Sequence, residues 1–398
     1  MLAIALLAIL ALVAPTLFLR ALARHSWILL LAGVLAFIGT FVSVANSVTP
    51  AIIGRMILEV HIQSAVTLLL AVMLAELAGP KAAVSAICAA IAVTALFAVV
   101  QFADIGFGWR VREALGDLQG LNLSEDGSFI NRRPMGASYS PIHLSTQACL
   151  AFAAYASWQL RKRESSDDTV AVNTAILLGL AAMVSLSFLS ETRSPILGAV
   201  IFFGVYMVSR GSAITRFLIF VIAVCAIAAA PLVLDLMDGS ESRVFRIGDN
   251  SSTGRLPLFK FGLKLLADNP LGYGFGFEST KFWTLYWQEI YTLPSAGVIR
   301  EAELHNYLLN MALTYGFGLL LVLPLVIQLL WNGRASLIAF LPYAVHILFH
   351  NTGPFWNDTL FWFVVGAISA TNYVAPNEQD GRRTSTRRRP RALRPRTL

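Results

Sequence analysis

Charge and cysteine are both scarce in this sequence of 398 residues. Asp, Glu, Lys and Arg together supply 13% of it, against about 25% in an ordinary soluble domain. Too few polar side chains exist to coat a water-facing surface, which argues against a soluble enzyme. The mean hydropathy of +0.67 excludes disordered, fibrous and disulfide-stapled chains as well. The three cysteines, Cys88, Cys149 and Cys225, stand singly in apolar stretches. With no CxxC pair and no Cys/His cluster, neither a zinc site nor a disulfide framework is supported, and each thiol reads as a small hydrophobe. No Walker or G-x-G-x-x-G spacing occurs, so nothing marks a nucleotide phosphate site.

What the sequence has in abundance is apolar length: 57% of its residues are hydrophobic. A helix needs about 20 mostly apolar residues to cross a bilayer core. On that scale the chain reads as an all-α polytopic membrane protein with about eleven transmembrane helices. The spans are expected near 2–19, 27–48, 62–78, 82–101, 141–160, 169–190, 194–209, 217–237, 306–330, 335–350 and 358–375. Alternate connections carry Arg20 and Arg24, Lys81, Arg161 to Arg163, Arg210 and Arg216, and Arg334. The opposite short connections hold only Arg55 and Arg193. Basic residues in short loops mark the cytoplasmic side. Residues 1–375 therefore form one membrane domain with two long outer loops, 102–140 and 238–304, the larger one containing short helices. The tail 376–398 carries eight arginines against Glu378 and Asp380. It reads as a disordered cytoplasmic segment drawn to anionic membrane lipids. Nucleic acid is not the expected partner, because no aromatic residues are interleaved with the arginines. The net charge of +7 is thus a topology marker, leaving 22 basic and 21 acidic side chains before the tail.

Chemistry is expected in the two long loops and the polar residues beside them. In loop 238–304, Ser251 to Gly254 offers capping residues before a helix of roughly 255–268. That helix would align Phe259, Leu263 and Leu266 on one stripe and end at Asn269-Pro270. A second helix near 279–291 carries Phe282, Trp283, Tyr286 and Trp287, which suits a membrane interface. The turn Leu271 to Gly276 between them is a candidate phosphate nest. The loop holds seven basic and eight acidic residues, so any anion site must come from a few placed arginines. Arg255 opens a helix, where its guanidinium and the helix-start amides can meet an anion together. Against this stands an ordinary surface pair with a nearby acid. Arg193 lies in the short connection Ser190 to Pro195, where an ionisable residue close to the membrane is a functional candidate. The plainer readings are snorkelling or a pair with Glu191. Arg132 and Arg133, just before the fifth span, suit lipid phosphates or mark topology. His305, followed by Asn306, stands where the large loop enters the ninth span. A helix amino terminus lowers a histidine's pKa and keeps it available as a base, although a plain helix cap is the commoner role. His346 and His350 are four residues apart, and a metal there needs further ligands that the sequence does not supply.

Together these features resemble the bacterial O-antigen ligase and Wzy-type polymerase superfamily of membrane glycosyltransferases. The resemblance rests on Thr253-Gly254-Arg255 and on Asn269-Pro270-Leu271-Gly272-Tyr273-Gly274-Phe275-Gly276. It continues in His305-Asn306, followed after nine residues by Gly316. Ser190 to Pro195 around Arg193, and Arg133 with Gly136, match two further elements. Residues 130–320 carry the likeness. Leu319 departs from the signature's last position, and ligases of this kind have twelve spans where eleven are read here. The resemblance implies transfer of a glycan from an undecaprenyl-diphosphate-linked donor to an acceptor hydroxyl, lipid A core or a growing glycan. It places the reaction on the periplasmic face of the bacterial inner membrane, with no cofactor and no metal, and no DxD motif speaks against this. It implies His305, Arg255 and Arg193 as catalytic residues, with Arg133, Arg132 and Asn306 binding the diphosphate or substrate. A polysaccharide polymerase or a protein glycosyltransferase remains open within that class. A transporter of a small solute or lipid-linked glycan remains open outside it, although no internal repeat is evident.

Overall fold

A computed structural model describes residues 2–118, 123, 132–165, 169–210, 253–320, 334–356 and 358–370. The expected span near 217–237, the first part of loop 238–304 and the basic tail lie outside the described residues. Within them the chain is helical, and the only bridge between extended residues joins Gly353 to Trp356. In chain order the helices are α1 (Leu2–Val13), α2 (Pro15–Arg24), α3 (Ser26–Ala45) and α4 (Pro50–Ala78). Next come α5 (Pro80–Phe102), α6 (Gly106–Leu118), α7 (Pro141–Ser165), α8 (Thr169–Leu189) and α9 (Ser194–Arg210). The last six are α10 (Arg255–Asp268), α11 (Trp283–Ile290), α12 (Tyr307–Tyr315), α13 (Arg334–Ala339), α14 (Leu341–Ile347) and α15 (Thr359–Ala370).

Among the described residues, four helices are long and apolar enough to cross a membrane: α3, α4, α5 and Val170–Leu189 within α8. A fifth results if α1 and α2 count as one span, but the two meet at a bend of 116°. The apolar run 2–19 is therefore not one straight helix. Pro15 lacks the amide hydrogen that would continue α1, and its ring drives Ala14 out of helical geometry, to φ −132° and ψ 64°. The run 335–350 is likewise divided into α13 and α14, with Pro342 in the first turn of α14. Helix α4 starts earlier than the expected span at 62 and contains a π-helical segment, Ile57–Ile62. Loop 102–140 contains a helix, α6, that the hydropathy pattern does not signal. The expected helix 279–291 starts as a 3₁₀ turn, Ser279–Phe282, before α11.

Packing is densest where α4 meets α15, where α7 meets α8 and where α9 meets α14, and α7 also packs on α5, α13 and α15. Helix α7 presents Ala148, Cys149, Ala151, Ala153, Ala154, Ala156 and Ser157, all buried. Small side chains of this kind let helix backbones approach each other where lipid tails give no hydrophobic drive to pack. Arg24 pairs with Glu76, tying α2 to α4. Arg161 donates to the Ile368 carbonyl at 2.7 Å, tying α7 to α15. The large loop after residue 253 forms a second core of Leu258, Phe261, Leu265, Tyr286, Ile290 and Ile299, closed by Leu304, Leu309 and Leu313. That core seats the loop on α12.

Gly366 marks the tightest crossing of α15 on α4: a Cβ there would stand 2.6 Å from the Leu68 carbonyl oxygen and 2.8 Å from the Ala71 methyl. Gly366→Val should destabilise the fold by about 1–3 kcal/mol through overpacking, seen as a lower thermal midpoint in detergent. Gly204→Ala, where a Cβ meets nothing within 4 Å, should leave that midpoint unchanged or raise it.

Candidate functional site

Helix α12 fixes the position of His305, and both of its ends are held. At its start Asn306, not His305, is the cap: its Oδ1 accepts from the Leu309 amide at 2.9 Å. Its Nδ2 donates to the Leu348 carbonyl at 3.0 Å. Asn310, one turn on, donates to the Leu304 carbonyl at 2.8 Å. At the far end α12 receives the glycine-rich turn. The Tyr273 amide donates to Leu313 O at 2.6 Å, the Gly274 amide to Thr314 O at 3.2 Å, and the Phe275 amide to Ser43 Oγ at 2.7 Å. These amides are spent on the last carbonyls of α12 and on α3, so the turn is a backbone dock and not the candidate phosphate nest. Gly316 has φ +56°, and a Cβ on it would stand 2.3 Å from the Leu271 carbonyl oxygen. The nine-residue spacing from Asn306 to Gly316 is thus the length of α12, closed by a glycine that a backbone crowds.

Helix α10 runs over the expected 255–268, but Gly254 rather than a capping side chain precedes it. Thr253 Oγ1 instead meets Ser295 Oγ at 2.7 Å, while Ser251 and Ser252 lie outside the described residues. Its buried face is Leu258, Phe261, Gly262 and Leu265, whereas Phe259 and Leu263 of the expected stripe are each 45% exposed. Helix α10 is apolar on two faces, and packing against α11 and α12 selects the one whose glycine lets α12 come close. At Gly262 a Cβ would stand 2.2 Å from Leu309 Cδ2.

At the start of α10, Arg255 donates from Nη1 to the Phe349 carbonyl at 3.0 Å, with its guanidinium 5.3 Å from the centre of the Phe349 ring. Arg255, His305 and Asn306 line one pocket of about 380 Å³. Its other walls are Leu256, Leu258, Phe259, Leu304, Leu309, Leu348 and Phe349. The pocket is therefore apolar apart from one cation, one imidazole and one amide.

His305 Nδ1 lies 2.6 Å from the Glu303 carbonyl oxygen. A carbonyl only accepts, so Nδ1 carries the hydrogen and the neutral ring has its lone pair on Nε2. Burial lowers the pKa of His305 below the ordinary imidazole value. The bond to Glu303 opposes this, and repulsion from the Arg255 guanidinium adds to the lowering. Glu303 was not anticipated from the sequence. Its carboxylate accepts from the Ser279 amide at 3.0 Å, Ser279 Oγ at 2.7 Å and Thr280 Oγ1 at 3.1 Å. The 3₁₀ turn at 279 thereby holds the strand of chain on which His305 depends.

Arg193 directly precedes α9, and its carbonyl accepts the Ile196 amide at 3.0 Å. Glu191 pairs with Arg133 at 3.5 Å rather than with Arg193. Arg133 also donates to the Ser190 carbonyl at 3.0 Å, so it braces the turn that carries Arg193. Arg132 stands outside this set, exposed and paired with Asp104 at 2.5 Å. Behind Arg133 the chain is held by Gln101, whose Oε1 accepts from the Met135 and Gly136 amides at 2.9 and 2.8 Å. Gly136, at φ +61°, would place a Cβ 2.3 Å from the Thr94 carbonyl oxygen. The Arg-x-x-Gly element is thus a close turn on α5. Neither Gln101 nor the turn's contact with α5 has a sequence signal beyond the glycine. The turn at 190–194 does not line the pocket; its Ser194 hydroxyl meets His350 Nε2 at 3.0 Å. His350 directly follows the Phe349 that Arg255 grips. Among the described residues, no group of three or more His, Cys, Asp or Glu side chains is placed to hold a metal ion.

Residues 176–323 match the family model described as O-antigen ligase. The match takes in Arg193, Arg255, His305, Asn306 and the glycine-rich turn; Arg132 and Arg133 precede it. It bears out the resemblance to the O-antigen ligase and Wzy-type superfamily drawn from the motifs. No curated protein matches the chain.

The imidazole of His305 should titrate below 6.5, and Arg255→Gln should raise its pKa by removing the cation's repulsion. Both are readable by NMR of histidine-labelled protein. Because the folded pKa is lowered, the neutral ring's contribution to stability is present above the unfolded value of about 6.5. It is lost as pH falls below that value.

Proposed function

We propose that this protein transfers a glycan from an undecaprenyl-diphosphate-linked donor to an acceptor hydroxyl, in the manner of an O-antigen ligase. The pocket carries this reading: Arg255 and His305 face one apolar cavity, inside the stretch that matches the ligase family. The acceptor oxygen attacks the anomeric carbon as the bond from that carbon to the diphosphate oxygen breaks, and the diphosphate leaves with the electron pair. A lipid diphosphate needs fixed positive charge to leave, not a proton. Arginine supplies it, since it stays charged at any working pH and grips phosphate with a planar fork. Arg255 takes the developing charge, with Arg193 as its second cation and Arg133 bracing the turn beneath Arg193. Arg132 remains a head-group contact on the membrane side. His305 Nε2 accepts the hydroxyl proton, and Arg255 nearby keeps the ring neutral until it does. Asn306 orients the ring by capping α12. The apolar wall of Leu256, Phe259 and Leu309 suits the first isoprene units of the donor.

In this reading the pocket opens on the periplasmic side of the inner membrane, the tail 376–398 is cytoplasmic, and neither cofactor nor metal takes part. The membrane domain 1–375 would carry the whole activity. Purified full-length protein in nanodiscs, given an undecaprenyl-diphosphate-linked glycan, tests all of this. Lipid A core serves as one acceptor and a second lipid-linked repeat as the other. A single transferred chain on lipid A core identifies a ligase, and a product ladder a polymerase. Arg255→Ala and His305→Ala should each lower kcat by about 10²-fold or more, the size of a lost charge-stabilising donor or general base. Full transfer by both variants would overturn the assignment, and solute uptake in place of transfer would favour a transporter.

A further inference from the structure

Helix α10 is fastened at both ends to one face of the membrane domain. That face can be traced through the spans. Helix α3 ends at Ala45 and α4 begins at Pro50, so the two meet on it. Helices α4 and α5 cross and return, which brings α5 back to the same face at Phe102. There Gln101 holds the Met135 and Gly136 amides, and Arg133 donates to the Ser190 carbonyl. Ser190 directly follows α8, so α8 ends on this face as well. Just past α3, Asn46 Nδ2 donates at 3.3 Å to the Gly272 carbonyl, in the turn that follows α10. At the other end Arg255 donates to the Phe349 carbonyl, and the adjoining His350 meets Ser194, just past α8. The 14 residues of α10, about 20 Å of helix, therefore run along the membrane face rather than away from it.

In that position α10 has three sides. Leu258, Phe261, Gly262 and Leu265 are buried toward α11 and α12. Leu256, Phe259 and Leu263, at i, i+3 and i+7, form a second apolar stripe, 51%, 45% and 45% exposed. Lys260 and Lys264 are exposed along its edge, and Lys264 pairs with Glu289 of α11. A contiguous apolar stripe left bare to water marks an interaction surface. In a helix parallel to a bilayer such a stripe sinks to the acyl boundary, while lysines beside it reach the headgroups. We propose that α10 lies in the membrane interface, with Leu256, Phe259 and Leu263 among the lipid chains and Lys260 at the phosphates. Leu256 and Phe259 also line the pocket that holds Arg255 and His305. The mouth of that pocket therefore opens sideways into the leaflet, and a ligand with a lipid tail enters it from the bilayer without crossing water. This goes beyond the transfer reading and does not rest on it.

The test uses full-length protein in nanodiscs of phosphatidylethanolamine and phosphatidylglycerol, with no donor or acceptor present. Nitroxide labels are attached through Phe259→Cys, Leu263→Cys or Lys264→Cys in a chain carrying Cys88→Ala, Cys149→Ala and Cys225→Ala. Labels at 259 and 263 should relax more with oxygen than with a water-soluble nickel chelate, at about 5–10 Å below the phosphates. The label at 264 should sit shallower. A second measurement needs no change in α10. In histidine-labelled wild type, a nitroxide on the lipid chains just below the headgroups should broaden the His305 signal more than a soluble gadolinium chelate does. That signal is assigned by its loss in His305→Gln. Labels at 259 and 263 reached chiefly by the nickel chelate would put the stripe in water and overturn the proposal. Labels reached by neither reagent would mean that protein covers the stripe, and would overturn it too. A His305 signal that the lipid nitroxide leaves sharp would overturn the sideways mouth. Glycan transfer is read in a separate assay, so the failure of either reading leaves the other standing.

Discussion

The carbonyls of Leu348 and Phe349 follow the last turn of α14, where a helix has no backbone donor left to offer them. In apolar surroundings a carbonyl without a partner costs about 1–3 kcal/mol. Here the partners come from two other elements: Asn306 at the start of α12 donates to Leu348 O, and Arg255 at the start of α10 donates to Phe349 O. One helix end therefore sets the position of both candidate catalytic elements. The same short turn continues into His350, which reaches Ser194 and the start of α9. Three helix starts, those of α9, α10 and α12, converge on one helix end. The polarity is consistent: amino termini carry partial positive charge and carboxyl-terminal carbonyls partial negative charge.

That arrangement explains how a cation and a base share one small cavity without neutralising each other. Arg255 spends part of its donor set on Phe349 O and stacks on the Phe349 ring, which fixes its plane. His305 spends Nδ1 on Glu303 O. Each group has a backbone oxygen among its anchors, which fixes its orientation in the pocket. The Glu303 carboxylate is turned away onto Ser279 and Thr280. A cation held this way is already oriented before any negative charge appears, which is the condition under which fixed donors contribute most to a transition state.

Parts of this were legible from the residues alone. The bounds of α10 follow from Arg255 and from Asn269-Pro270, and a shared site for His305 and Arg255 is what the family resemblance implies. The stripe on α10 was not legible, because the helix is apolar on two faces and only the close approach allowed by Gly262 decides between them. The bend between α1 and α2 hides in an apolar run whose single proline is outweighed by its hydropathy. The glycines of the turn 271–276 leave a phosphate nest open as the less favoured reading, since a nest and a backbone crossing both need a missing Cβ and positive φ. The roles of Arg133, Gln101 and Glu303 depend on contacts across tens of residues, which periodicity and spacing do not encode.

Thr146, which donates to Ile142 O, forms with His346, Ser194 and His350 a buried hydrogen-bonded string that follows the same logic. Each hydroxyl and each neutral ring has one hydrogen to give, so fixing the first bond at Ile142 O orders every later one. The order ends on the bare Nδ1 of His350, and not on an N–H, because the string contains two hydroxyls and two imidazoles and starts with a donation outward. Had Ser194 been alanine, Thr146 would still hold His346 with its hydrogen on Nε2, and only the His350 ring would be free to choose a tautomer. Ser194 is also the first residue of α9, immediately after Arg193. One short turn thus carries the second cation proposed for the diphosphate and sets the tautomer of His350.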